Sequence, residues 1–130
     1  MAKNVKDMMA EANAAVERID MARARDLIAK GAVVVDVRDA PELETSGKVK
    51  GAVHISRGML DFRADAASPY HHPELRQDRP VIVYCASGGR SALSGKLLKD
   101  MGYSQVYNLG GFKDWAEAGG EVETIVDRGM

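Results

Sequence analysis

Two short runs of β-branched residues constrain this chain more than anything else in it. Ala32-Val33-Val34-Val35-Asp36-Val37 and Val81-Ile82-Val83-Tyr84 are nearly continuous in apolar residues rather than alternating. A strand of that kind has no wet face, so it belongs inside a parallel sheet with helices covering both sides. The intervening segments supply such helices. Val5, Met8, Met9, Ala12 and Val16 share one face of a helix over 4–16, with Asn4 as its cap. Asp20 caps a second helix over 21–30, closed by Gly31, and Leu93, Leu97, Leu98 and Met101 mark another that Gly102 stops, with Tyr103 packing after the cap. Shorter strands are expected at 16–19, 52–55 and 106–108, with Gly110-Gly111 breaking the last. Short helices are expected from Pro41, over 59–66 and over 112–118. The prolines at 69, 73 and 80 bound a loop, and Val122, Ile125 and Val126 suffice for an edge contact. The pattern predicts an α/β fold with a mainly parallel five-stranded sheet in a three-layer arrangement. Its organisation is one domain over 19–120, a helical extension over 1–18 and a tail over 121–130.

Composition narrows the function. A chain of 130 residues buries roughly two-thirds of its unfolded surface, so it needs no metal or disulfide to fold. Lys and Arg total 18 against 19 Asp and Glu, a net charge of −1. That argues against a nucleic-acid binder driven by global charge, and the few aromatics argue against base-stacking platforms. Charged residues punctuate the first twenty positions, leaving no apolar run for a signal peptide or a membrane span. A cytoplasmic location is therefore expected. The single cysteine, Cys85, excludes an intramolecular disulfide and a multi-cysteine zinc site.

Cys85 closes the second apolar strand and opens Ala86-Ser87-Gly88-Gly89-Arg90-Ser91, which leads into a helix. Ligands of parallel α/β sheets bind beyond the carboxyl ends of strands. Backbone N–H groups in such a loop, with the positive end of the following helix, bind anions and favour a thiolate over a thiol. Arg90 adds a permanent charge, and Ser87 and Ser91 add hydroxyls. A lone cysteine is ordinarily a small buried hydrophobe. This placement instead assigns Cys85 as nucleophile, with Ala86, Ser87, Gly88, Gly89, Arg90 and Ser91 binding the substrate.

The motifs resemble the rhodanese family of sulfurtransferases over about Ile19 to Gly119. Val35-Asp36-Val37-Arg38 followed by Glu42 is similar to its strand-and-acidic-turn motif. Gly51-Ala52 with Ile55 is similar to the end of its Gly-His-Ile-Pro-Gly-Ala motif. The Cys85–Ser91 stretch resembles its active-site loop, and Gly110-Gly111-Phe112 with Trp115 its closing motif. Lys48-Val49-Lys50 depart from it, standing where the family has His-Ile-Pro. The resemblance implies a rhodanese-like fold and a persulfide on Cys85. This persulfide would be loaded from a small sulfur donor anion such as thiosulfate and unloaded to cyanide, a thiol or a partner protein. Arg90 orients the donor or braces the loop. No metal and no organic cofactor is called for. Loop length also carries an implication. Four residues separate Cys85 from Arg90, as in sulfurtransferases, whereas related phosphatases have one more. A sulfur-relay module is the alternative reading, ahead of a phosphatase or arsenate reductase of related fold.

Other polar residues read more plainly. Asp36 and Arg38 are structural support for the loop, either by pairing with Arg90 or by bonding backbone. His54 is a strand-end histidine with an ordinary hydrogen bond rather than a base. His71-His72 lack the Cys or carboxylate company of a metal site. Arg57, Met59 and Leu60 line the pocket mouth by resemblance, or lie on the surface.

Overall fold

The computed structural model describes residues 2–125. Strands β1 (Glu17–Arg18), β2 (Val33–Asp36), β4 (Val53–His54), β5 (Val81–Cys85) and β6 (Val106–Gly111) form one sheet in the order β1-β6-β5-β2-β4, every pair parallel. The two valine-rich runs are its centre: all residues of β2 and β5 are buried. Their side chains alternate between two apolar layers. Val33, Val35, Val81, Val83 and Cys85 join Leu60, Leu98 and Tyr103 on one face, while Val34, Ile82 and Tyr84 join Leu27, Phe112 and Trp115 on the other. Helices α4 (Leu60–Ala64) and α5 (Gly89–Asp100) therefore cover the first face, and α2 (Met21–Ala29) and α6 (Phe112–Glu117) the second.

Local signals in the sequence set most of the helix boundaries. The Asn4 side chain accepts the Asp7 N–H at 2.8 Å and caps α1 (Val5–Ala15), and Asp20 accepts the Arg23 N–H at 2.9 Å to cap α2. Tyr103 N–H returns to the Leu98 carbonyl at 3.0 Å after Gly102, closing α5. α1 lies along α5. Gly95 allows a close approach there: a Cβ would sit 3.0 Å from both methyls of Val16, the residue that ends α1.

The strand expected at 16–19 is there: Glu17 and Arg18 join the sheet, paired with Tyr107 and Asn108. Two features differ from the sequence-based expectation. β6 runs through Gly110 and Gly111 instead of stopping before them, with a bulge that skips Leu109 between the pairs Val83↔Asn108 and Tyr84↔Gly110. Each glycine has its own cause: a Cβ on Gly111 would strike the Ala86 carbonyl, and Gly110 sits at φ +94°, a left-handed conformation at the bulge. Second, Lys48-Val49 form a strand, β3, which pairs antiparallel with β7 (Val122–Glu123), the edge contact expected of Val122. Val126, expected in that tail contact, lies outside the described residues. The remaining helix, α3 (Ala40–Ser46), follows β2 at the carboxyl end of the sheet.

Candidate active site

β5 delivers Cys85 to the carboxyl edge of the sheet, and the chain turns at once. Gly88 sits at φ +108°, a left-handed conformation that glycine adopts without strain, and α5 begins at the next residue. The turn aims backbone donors at the sulfur. Cys85 Sγ accepts the Gly88 N–H at 3.0 Å and the Ser91 N–H at 3.4 Å, with Ser91 Oγ at 3.4 Å. Burial pushes the thiol up. The Ser91 hydroxyl and the N–H groups of Ser91, Gly88 and Ser87 outweigh it, and the thiol stands below its ordinary range. Ala86 and Ser87 form the exposed rim of the loop, while Cys85 is 1% exposed and Gly88 and Ser91 are buried. The loop thus combines an activated sulfur with a ring of N–H donors suited to a small anion.

Arg90 reaches neither the sulfur nor Asp36. Its guanidinium makes a two-pronged pair with Glu42 of α3, at 2.7 and 2.8 Å. Glu42 is the functional neighbour that sequence reasoning missed; the acidic turn of its motif was the available signal. The Arg90 hydrogen bonds, against a smaller burial effect, pull the Glu42 carboxyl down to about 2. A depressed carboxyl stabilises the fold fully above its ordinary value of 4.5 and loses that contribution as pH falls toward about 2. The stability gap between wild type and Glu42→Gln, measured by urea titration at stepped pH, should be flat from neutral to mildly acid pH. It should then close in stronger acid. A gap independent of pH would exclude the bridge as its source.

Asp36 and Arg38 pair with each other rather than with Arg90. Arg38 Nη2 meets Asp36 Oδ2 at 2.7 Å and Nε meets both carboxylate oxygens, with the two residues 2% exposed or less. Arg38 then donates to Ser46 Oγ at 2.9 Å and to the Gly47 carbonyl at 2.7 Å, and lies 4.4 Å over the Phe112 ring. Tyr84 donates to Asp36 and accepts the Val49 N–H. Burial, then the Asp36 charge, push the Tyr84 hydroxyl well above its ordinary range, so it stays a donor. The pair therefore fixes the end of α3, and with it Glu42 and Arg90.

The remaining candidates separate. Arg57 lines a groove of about 480 Å³ with Asp39, Asp61, Arg90 and Ser94. Leu60 is fully buried in the core and Met59 is exposed, so of the three mouth residues only Arg57 lines a groove with the loop's arginine. A second hollow of about 470 Å³, on the Ala86 side, is walled by Pro41, Thr45, Phe112 and Lys113. His54 Nε2 bonds the Arg38 carbonyl at 2.7 Å and His71 Nε2 the Leu75 carbonyl at 2.8 Å. Lys48 and Lys50 are taken up by Glu123 and Glu121 of the tail. Among the described residues, no three His, Cys, Asp or Glu side chains gather as a metal site, and no helix is long and apolar enough to cross a membrane.

Residues 20–118 match the rhodanese-like domain family. A thiosulfate sulfurtransferase GlpE of Ectopseudomonas mendocina (strain ymp) is 38% identical over 101 residues, spanning 76% of this chain and 84% of that protein. The solved structure of the polysulfide-sulfur transferase homodimer of Wolinella succinogenes is similar over 96% of this chain and 90% of its own. Its TM-score is 0.74 and its identity 29%. RPA3614 of Rhodopseudomonas palustris CGA009, a protein of unknown function described as a possible tyrosine phosphatase, is similar over 95% of this chain and 96% of its own. Here the TM-score is 0.85 and the identity 41%.

Proposed function

The chain belongs to the rhodanese-like sulfurtransferase family, and on that premise we propose that it moves a sulfane sulfur from thiosulfate, or a similar donor anion, to a thiophilic acceptor through a Cys85 persulfide. The observation that carries this reading is the buried Cys85 sulfur held by the Gly88 and Ser91 N–H groups. The Cys85 thiolate attacks the outer sulfur of thiosulfate. The donor's S–S bond breaks and its electron pair leaves with sulfite. The new S–S bond leaves Cys85 Sγ neutral and puts the negative charge on the transferred sulfur, within reach of the loop's N–H groups. Cyanide or a thiolate then attacks that outer sulfur, and the electron pair returns to Sγ. Two half-reactions of this kind give ping-pong kinetics. Arg90, tied to Glu42, braces the loop more than it grips the donor. With a single cysteine in the chain, the sulfur leaves to an external acceptor, a small thiol or a partner protein. The chemistry suits a reducing cytoplasm, where Cys85 stays a free thiol.

A phosphatase reading has one specific support, the description given to RPA3614. It is disfavoured here by two features. The loop is one residue shorter than the phosphatase type, and two of the nearby carboxylates are engaged: Glu42 with Arg90, and Asp36 with Arg38 and Tyr84. Neither is free to protonate an alcohol leaving group.

Incubation with thiosulfate followed by intact-mass measurement tests the proposal. The expected result is a gain of one sulfur atom that cyanide removes. No gain with thiosulfate or polysulfide would sink it, and hydrolysis of an artificial phosphate ester would then favour the phosphatase reading over a partner-dependent relay.

A further inference from the structure

The Ser91 hydroxyl faces two acceptors with one proton. Ser91 Oγ lies 3.4 Å from Cys85 Sγ and 2.7 Å from Asn108 Oδ1, and a hydroxyl donates to only one of them at a time. Asn108 is 2% exposed on β6. Its orientation is fixed from both sides: Oδ1 accepts the Gly110 N–H at 2.9 Å, and Nδ2 donates to the Gly88 carbonyl at 3.2 Å. The same peptide of β6 that underlies the loop therefore presents a fixed acceptor to the one mobile proton beside the nucleophile.

We propose that Asn108 is a positioning residue for sulfur transfer, which takes the Ser91 proton whenever Cys85 Sγ is uncharged and yields it whenever Sγ is a thiolate. This rests on the Cys85 persulfide reading above. In the neutral thiol, S–H donates to Ser91 Oγ and Ser91 O–H donates to Asn108 Oδ1. In the thiolate, the hydroxyl turns to Sγ. When Sγ bonds the donor's outer sulfur and sulfite departs with the electron pair of the broken bond, the charge moves to the transferred sulfur and the hydroxyl turns back to Asn108. No proton enters or leaves during that step; one torsion changes. Asn108 thereby offsets the donor that Sγ gives up as its charge departs.

Charged groups on the elements packed against the loop are Arg90 with its partner Glu42, Asp39 of the α3 cap, Asp36 with Arg38, and Arg18, whose guanidinium packs on Gly88 and Gly110. Among the described residues none of these hydrogen-bonds to Ser91 or Asn108.

The pH dependence of Cys85 alkylation by iodoacetamide reads the thiolate without any sulfur donor, so its outcome is separate from that of the persulfide experiment. Asn108→Asp keeps the side-chain shape and holds the Ser91 proton on a carboxylate, while giving up the Nδ2 bond to the Gly88 carbonyl in both backgrounds alike. Its alkylation midpoint should rise, and rise less in a Ser91→Ala background, the difference amounting to about tenfold in thiolate fraction at neutral pH. Asn108→Ala leaves the proton to the sulfur. Its midpoint should fall while sulfur uptake from thiosulfate slows, a combination that simple loosening of the loop does not produce. An equal rise with and without Ser91, or a raised midpoint in Asn108→Ala, overturns the proposal. If Asn108→Ala does not fold, the Asn108→Asp comparison decides alone.

Discussion

The Cys85→Ser protein is expected to keep its fold and to lose thiosulfate-to-cyanide sulfur transfer by at least about a thousandfold, as removal of a covalent nucleophile does elsewhere. Serine fits the space, and its oxygen can accept the Gly88 N–H that now meets Sγ. What it lacks is ionisation. The donors around Cys85 hold a thiol below its ordinary range, but a hydroxyl starts so much higher that the same donors leave it protonated. It also forms no S–S bond, so the sulfur has nowhere to sit between the two half-reactions. Steady-state turnover, with circular dichroism to confirm the fold, checks this. Retention of more than a tenth of wild-type activity would assign the nucleophile elsewhere.

Asp36→Asn should be the most damaging single change to stability, costing about 3–5 kcal/mol. Arg38 would then sit at 2% exposure without a charged partner, keeping a neutral amide oxygen at position 36, Ser46, Gly47 and the aromatic faces of Tyr84 and Phe112. Tyr84 would lose a charged acceptor as well. An unpaired buried charge is worse than no charge. The double variant Asp36→Val with Arg38→Met should therefore recover part of the loss, while the hold on Ser46 and Gly47 stays broken. Urea midpoints of the three proteins test both statements. A single variant within about 1 kcal/mol of wild type would mean that water or a shifted side chain rescues Arg38.

The parts of this molecule that were legible in the sequence are those set by near neighbours. Val33 to Asp36 and Val81 to Cys85 announce buried strands by their own composition, and Asn4, Asp20 and Gly102 mark helix ends by bonds within a turn or two. Cys85 and its loop were legible because strand end, glycine turn and helix start are contiguous. Long-range contacts were not. Glu42 and Arg90 meet across 48 positions, so nothing local reveals that the loop's arginine is already taken. Gly110 and Gly111 read as strand breakers because their true causes, a left-handed bulge residue and the Ala86 carbonyl against β6, are not local to the sequence. β7 is two residues long and is defined only by its partner β3. Asn108 looks like any polar strand residue until Ser91, 17 positions away, is seen against it.

The β3–β7 pairing bears on where this fold can be cut. The family match spans residues 20–118, yet one edge strand of the sheet is Glu17–Arg18, and the turn gripped by Arg38 and Tyr84 is clasped from outside by Val122 and Glu123. A fragment trimmed to the match would retain the cysteine, its cradle and the arginine bridge while discarding the stitching on either flank. For grafting, fusion or library construction, the working unit of this protein is set by its hydrogen bonds and runs from before Glu17 to beyond Glu123.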